Sequence, residues 1–377
     1  MSDTYFRAEP ETTVAPVQFA RRTTFTVLAL VFALALTLGL AGCTTNETDS
    51  PGEPAVGTGD DPGELVVYSS RNEKFVDELL EKFEADTGIT VRALHAGDTV
   101  VNKLQEESTN VQADIVIAND IGGLEYLRLQ DLLASPGELD GIDSIDAAYR
   151  APDDSWIALS ARTRVLMYNT DLVTAEEIPS RIEDLADPAY EGMFAITRGG
   201  NSGMIGHVSA LRSEWGDERT AEWVEAIKDN AGAIMDGHGD IRRAVGSGEF
   251  AFGLVNNYYY HQQLREPTDN NVGVVYPDQG DGEMGAVVNA AGVGFVAGGP
   301  NPVSARIFLE WVLLPENQRE FSFASLEVPV NPEIEAVEEA RPISDYNVQA
   351  MPLSELGTVW EDTRTLIERA GLDMELR

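Results

Sequence analysis

Downstream of residue 63, short apolar runs alternate with stretches whose apolar positions recur at helical spacing. Leu65-Val66-Val67-Tyr68 predicts a strand, and Phe75, Leu79, Leu80 and Phe83, running to Thr87-Gly88, predict a helix that stops at the glycine. Residues 89–94 read as a second strand, 101–107 as a helix and 113–118 as a third strand. This alternation predicts an α/β fold with a parallel sheet covered on both faces. Ligands of such sheets bind at the carboxyl ends of the strands. That rule singles out Ser69-Ser70-Arg71-Asn72-Glu73, residues 96–99 and Asn119-Asp120-Ile121-Gly122-Gly123.

A second alternating unit follows. Residues 162–169 have a strand pattern, 197–203 a Gly-rich loop, the Trp215/Trp223 region a helical one, and 249–257 a strand ending in Asn256-Asn257. Residues 285–297, rich in Gly, Ala and Val, predict a strand crossing back, and 302–314 an amphipathic helix that packs on a sheet. The chain from residue 64 onward is too long for one simple core and suits two lobes.

The first sixty residues follow a different grammar. Arg21-Arg22 precedes a long apolar run that ends in Leu40-Ala41-Gly42-Cys43, which reads as an export signal rather than a permanent span. The last four residues resemble the bacterial lipobox, which implies a lipid on Cys43, the sole cysteine of the chain. Arg21-Arg22 fits both a Sec signal and a twin-arginine signal. Residues 1–43 are thus expected to be a lipoprotein signal peptide, and 44–63, polar and rich in Gly, Pro, Asp and Thr, a flexible acidic tether.

Charge then narrows the function. A formal net charge of −38 with four lysines repels phosphate backbones, so nucleic-acid binding is excluded. The acidic surface reads as adaptation to a saline environment, where screening tempers self-repulsion. With no second cysteine there is no disulfide framework, and the core must hold the fold. The four histidines, His95, His207, His238 and His261, are scattered, and no Ser-His-Asp arrangement, nucleotide loop or HExxH motif accompanies them. The expectation is a protein that is not an enzyme.

Tyr258-Tyr259-Tyr260 stands out because it follows an apolar strand and two asparagines, where ligand-contacting loops lie. Adjacent side chains diverge in a strand and fan by about 100° on a helix, so three consecutive rings cannot all enter one core. A tyrosine triplet alone is more often a packing cluster. Tyr68-Ser69-Ser70-Arg71-Asn72-Glu73, Phe83-Glu84-Ala85-Asp86-Thr87-Gly88-Ile89, Gly97-Asp98-Thr99, Ala161-Arg162-Thr163-Arg164-Val165, Leu185-Ala186-Asp187-Pro188 and Gly253-Leu254-Val255-Asn256-Asn257-Tyr258-Tyr259 change that weighting. In this order they resemble the ferric-ion-binding solute-binding proteins of bacterial ABC importers, a two-lobed periplasmic-binding-protein family. The likeness runs from about residue 64 to the C-terminus, and the tyrosine pair is its most specific part.

The resemblance implies that Tyr258 and Tyr259 give two phenolates to Fe(III), with Tyr260 flanking them. Ferric ion is a hard acceptor that favours anionic oxygen, and a bound cation draws off a phenol proton that water leaves in place until about pH 10. The family's carboxylate ligand has Asn119 or Asp120 as its counterpart. Asp120 is favoured for its charge, although a helix cap explains it equally well. The histidine of many members is absent; Asn72 lies in its region. Ser202 and Gly203, with Arg162 and Ser70, resemble the anion-binding part, where carbonate or phosphate completes the metal shell. Arg162 and Arg164 share one face of their strand, and register decides which points inward.

The expected fold is therefore a two-lobed α/β one with crossing hinge strands near 163–168 and 285–297. Residues 64–163 plus about 288–340 would form lobe 1, and 164–287 plus about 341–377 lobe 2. The expected protein is a monomer, lipid-anchored on the outer face of the cytoplasmic membrane, that delivers iron to an ABC permease and its ATPase. The alternatives are a binding protein for an organic anion or polyamine and, more remotely, a tethered extracellular hydrolase.

Overall fold

The computed structural model describes residues 63–266 and 271–375. The expectations for the signal segment, the lipidation of Cys43 and all but the last residue of the tether lie outside the described residues. Among those described, no helix is long and apolar enough to cross a membrane.

The N-terminal part builds as the apolar pattern predicts. Strand β1 (Glu64–Ser69), helix α1 (Asp77–Thr87), β2 (Thr90–His95), α2 (Val100–Glu106), β3 (Ile115–Ala118) and α3 (Ile121–Leu129) follow in order. β1 lies parallel to both β2 and β3, and all four residues of β3 are buried, as expected of a strand covered on both faces. Asp120 caps α3 through its side chain, which accepts from the Gly123 amide at 3.2 Å.

Strand β4 (Trp156–Asn169) is longer than the 162–169 pattern predicts. Its first half, Trp156-Ile157-Ala158-Leu159, is continuously buried rather than alternating, so period 2 does not betray it. β4 organises the molecule. Residues 156–163 pair antiparallel with β9 (Val288–Phe295), and 164–168 pair antiparallel with β7 (Phe252–Asn256). β9 also pairs with β3, which puts the N-terminal half of β4 in the first sheet. On the other side β5 (Phe194–Thr197) lies parallel to β6 (Ala233–Met235) and β7, and β8 (Val272–Val275) joins the far end of β4. The strand order is β2-β1-β3-β9-β4-β7-β5-β6. Two α/β sheets thus share one strand, each with parallel strands on the outside and an antiparallel crossing strand next to its partner.

Helices fill the faces. In the second half these are α4 (Ser202–Trp215), α5 (Asp217–Asn230), α6 (His238–Gly246) and α7 (Asn257–Arg265). The sequence 197–203, predicted as a loop, ends two residues early because Asn201 caps α4, its side chain accepting from the Gly203 amide at 3.0 Å. The Trp215/Trp223 region is two helices rather than one, divided at Gly216. The tyrosine triplet lies in the first turn of α7. In the first half α8 (Pro302–Val312) and α9 (Pro315–Ser325) precede β10 (Val328–Pro329), which pairs with β4. The chain closes with α10 (Glu355–Thr358) and α11 (Trp360–Arg369). α10 packs on α3, while α11 lies mainly on α4 and α5.

Candidate metal and anion site

The place where β4 passes from one sheet to the other is chemically unusual. Ser160, Arg162, Thr163 and Arg164 are all buried there, in a central strand where apolar residues are the rule. Beside it lies a cavity of about 130 Å³. Asn119 faces it from the end of β3, Arg162 from β4, Asn201, Ser202 and Gly203 from the start of α4, Gly237 and His238 from the start of α6, and Asn256, Tyr258 and Tyr259 from the β7–α7 junction. Apart from Arg162, which projects from the middle of β4, the walls are strand ends and helix N-termini, as the geometry of α/β sheets favours. The volume suits an ion with a small companion and is below the range of drug-sized ligand pockets.

Tyr258 and Tyr259 are neighbours in space as well as sequence, with ring centroids 4.4 Å apart and planes inclined by 32°. Burial pushes the Tyr259 phenol well above its ordinary value, the adjacent Tyr258 pushes it further, and Arg162 opposes both. Empty, the site therefore holds a neutral Tyr259 phenol. Only a bound cation can reverse that preference, by replacing the proton on oxygen with a metal. The His238 ring meets Tyr259 edge-on, with centroids 5.3 Å apart.

The rest of the lining is positive or polar. Arg164 is buried, and burial followed by repulsion from Arg162 lowers its pKa to about 9. Its Nη1 donates to Asn256 Oδ1 at 3.1 Å and lies 2.5 Å from His238 Nε2. Burial holds His238 well below its ordinary pKa, and Arg164 adds to that, so the ring is neutral and Nε2 accepts from the guanidinium. The Nε and Nη2 atoms of Arg164 are buried without a partner. Gly203 is tied to the same cluster, since a Cβ there would meet His238 Cε1 at 2.9 Å. The Arg162 guanidinium and the N-terminus of the fourteen-residue α4 thus converge on one small space, with Arg164 held just behind the wall by His238 and Asn256. In a chain of formal charge −38 this is a local positive site, suited to a small oxyanion.

The residues named from sequence divide between two cavities. Tyr258, Tyr259, Arg162, Asn119, Ser202 and Gly203 all line the larger one. Asp120 and Ser70 instead line an adjoining cavity of about 30 Å³, which Ser202 also borders. Asp120 is engaged on both oxygens, with Oδ2 accepting from Asn289 Nδ2 at 2.6 Å. It is packed against α4 so closely that a Cβ on Gly206 would fall 2.3 Å from that oxygen. Burial raises its pKa, and Arg162 opposes the rise. The Ser70 hydroxyl accepts from the Asn119 amide at 2.8 Å and so fixes the residue that does face the tyrosines. Asn72 is exposed and caps a short turn through the Lys74 amide. Tyr260 packs beside the small core of Val165, Ile241 and Val255.

Sequence reasoning missed His238, Asn201, Asn256 and the buried partner of Arg162, Glu327. The strand-end rule, applied after β6 as it was after β1, would have found His238. Asn256 sat in plain view before the tyrosine pair. Nothing local marks Glu327, whose role depends on residues more than 160 positions away. Among the described residues no group of three or more His, Cys, Asp or Glu is placed to hold a metal.

Comparison with known proteins bears on the same region. The sequence pattern of the family described as bacterial extracellular solute-binding protein matches residues 78–349, well over half of the chain. Iron uptake protein A1 of Synechocystis sp. is 29% identical over 331 residues, covering 85% of this chain and 91% of that protein. Among solved structures, iron-bound HitA from Pseudomonas aeruginosa superposes with a TM-score of 0.77 at 25% identity, covering 82% of this chain and 100% of that one. The Trichodesmium protein IdiA (FutA), solved with iron and citrate, gives a TM-score of 0.71 at 28% identity over 82% of this chain and 100% of that one. By sequence pattern and by fold, this chain belongs to the family of bacterial extracellular solute-binding proteins.

Proposed function

We propose that this protein captures ferric iron together with a small oxyanion in the cavity at the β4 crossing and delivers it to an ABC permease and its ATPase. The observation that carries the reading is the adjacent tyrosine pair set against the buried Arg162 and the N-terminus of α4. The pair supplies two phenol oxygens, of which that of Tyr259 is held neutral by burial until a cation replaces its proton. Arg162 and Ser202-Gly203 supply donors for carbonate, phosphate or a like anion, which offsets the remaining charge of the metal. The relatives named for iron uptake, and the neighbours solved with iron or with iron and citrate, support the same cargo.

In this reading Tyr258 and Tyr259 bind the metal. Arg162, Ser202 and Gly203 bind the anion, and Ser70 holds Asn119 at the cavity wall. Asp120 would join the metal only after releasing Asn289. The lobes, 64–163 plus about 288–340 and 164–287 plus about 341–377, would close over the cargo because each supplies part of its shell. Outside the cell the protein would act as a monomer tethered by a lipid on Cys43.

The test is optical. Ferric iron with bicarbonate should give the purified protein a visible phenolate-to-iron charge-transfer band, and Tyr258→Phe should remove it. A colourless mixture with the unaltered protein would overturn the proposal.

A further inference from the structure

Glu327 is 1% exposed and lines neither cavity, yet it is the carboxylate to which the buried Arg71 and Arg162 are both tied. It accepts from Arg71 Nη1 at 3.1 Å, from Arg162 Nη1 at 3.4 Å and from the Ser160 hydroxyl. Arg71 is itself fixed, with Nη2 donating to Ser325 Oγ at 2.9 Å and the guanidinium lying 4.6 Å from the centre of the Phe321 ring. Burial disfavours ionisation of Glu327, but Arg71 and Arg162 outweigh it and hold the carboxyl below its ordinary value.

The backbone that presents Glu327 is equally constrained. Leu326 takes a left-handed φ of 64°, a region that non-glycine residues seldom occupy. The Glu327 amide donates to the Ser322 carbonyl at 3.0 Å, and Val328 pairs with Ala161 of β4, next to Arg162. His261 of α7 lies with Nδ1 2.8 Å from the Leu326 carbonyl, which joins this turn to the helix that carries Tyr258 and Tyr259. One strained turn therefore links the anion wall to the tyrosine helix.

We propose that Glu327 is a positioning residue for anion capture: it holds Arg162 at the cavity wall and cancels one of the two charges that Arg71 and Arg162 bring together. Without it, two buried like charges face one another in a medium of low dielectric, and Arg162 swings out of its place. The inference rests on the cavity being an iron-and-anion site and names a residue on which the anion half depends.

The experiment holds ferric nitrilotriacetate fixed, titrates bicarbonate and follows the charge-transfer band. Glu327→Gln keeps the shape and removes the charge. It should raise the bicarbonate concentration for half-formation of the band about tenfold, the scale of one lost charge-assisted hydrogen bond, and excess bicarbonate should restore the band. A purely structural role would lower the band at every bicarbonate concentration. That result, or an unchanged or lowered half-point, overturns the proposal. If Glu327→Gln does not fold, Ser160→Ala keeps every charge and removes one donor to Glu327. It should raise the half-point two- to threefold, and no change overturns the proposal. A band missing from the unaltered protein overturns the iron reading instead, so the two failures are told apart.

Discussion

Two helix N-termini approach one another across the crossing of β4, and they are finished in opposite ways. α3 is capped by Asp120, whose own carboxylate answers the positive end of the helix and is then covered by Asn289 and α4. α4 is capped by Asn201, a neutral amide, and its first residues, Ser202 and Gly203, open onto the tyrosine cavity. One terminus carries its anion in the sequence, and the other leaves the place open for an anion from solution. The contrast teaches that an N-cap residue, usually judged by the stability it gives, also decides whether a helix end can bind a ligand.

The largest break in this comparison comes from forcing the two ends apart. A methyl group on Gly206 would meet Asp120 Oδ2 at 2.3 Å and Asn289 Nδ2 at 2.5 Å, and these two atoms are bonded to one another, so the clash is relieved only by disturbing that hydrogen bond. Gly206→Ala should destabilise the ligand-free protein by about 1–3 kcal/mol, the usual range for overpacking, read from urea unfolding. An unchanged midpoint would mean that α3 and α4 do not meet this closely in solution.

A smaller change makes the two ends alike. Asn201→Asp places at α4 what Asp120 provides at α3, and Asn and Asp are comparable as caps, so stability should hold. The new carboxylate then competes with the incoming anion. The bicarbonate needed for half of the charge-transfer band should rise about tenfold, roughly 1.4 kcal/mol. Equal half-points for variant and parent would show that α4 does not receive the anion.

What the sequence disclosed follows the range of the forces involved. The strands and helices up to residue 118 are set by local apolar spacing, and they were legible to within about two residues. That Tyr258 and Tyr259 face a cavity was legible from their place just after a strand, and the resemblance to a known family brought in Arg162, Ser202 and Gly203, which line the same cavity. The choice between Asn119 and Asp120 was not legible. It turns on one residue of register, and on Asn289, which reaches Asp120 from 169 positions away. Glu327 was invisible for a related reason: a lone acidic residue between Leu326 and Val328 has no pattern, and only the pairing of β10 with β4 brings it to Arg162.

Asp278 sharpens the comparison from a third side, with the smallest effect. Like Asp120 it is a buried carboxylate that accepts from a backbone amide, here that of Ile182 at 3.2 Å, and it lies on the return path between β8 and β9. As with Asp120, burial raises it, here to about 6; the Ile182 amide and Arg181 oppose the rise, but the nearby charge of Glu283 adds to it. The folded state thus prefers the protonated acid, while the unfolded chain ionises near pH 4. As pH climbs from about 4 through 6 the fold must ionise a group it would keep neutral, and stability falls over that window. Asp278→Asn removes the titration, keeps an oxygen for Ile182 and suits the left-handed φ of 58° that Asn tolerates well. The variant should therefore gain on the parent as pH rises from 4 to 7, by on the order of 1 kcal/mol once partial solvation is allowed for. Thermal melts at several pH values give the answer, and a constant difference between the two proteins would place the Asp278 carboxyl in the ordinary range.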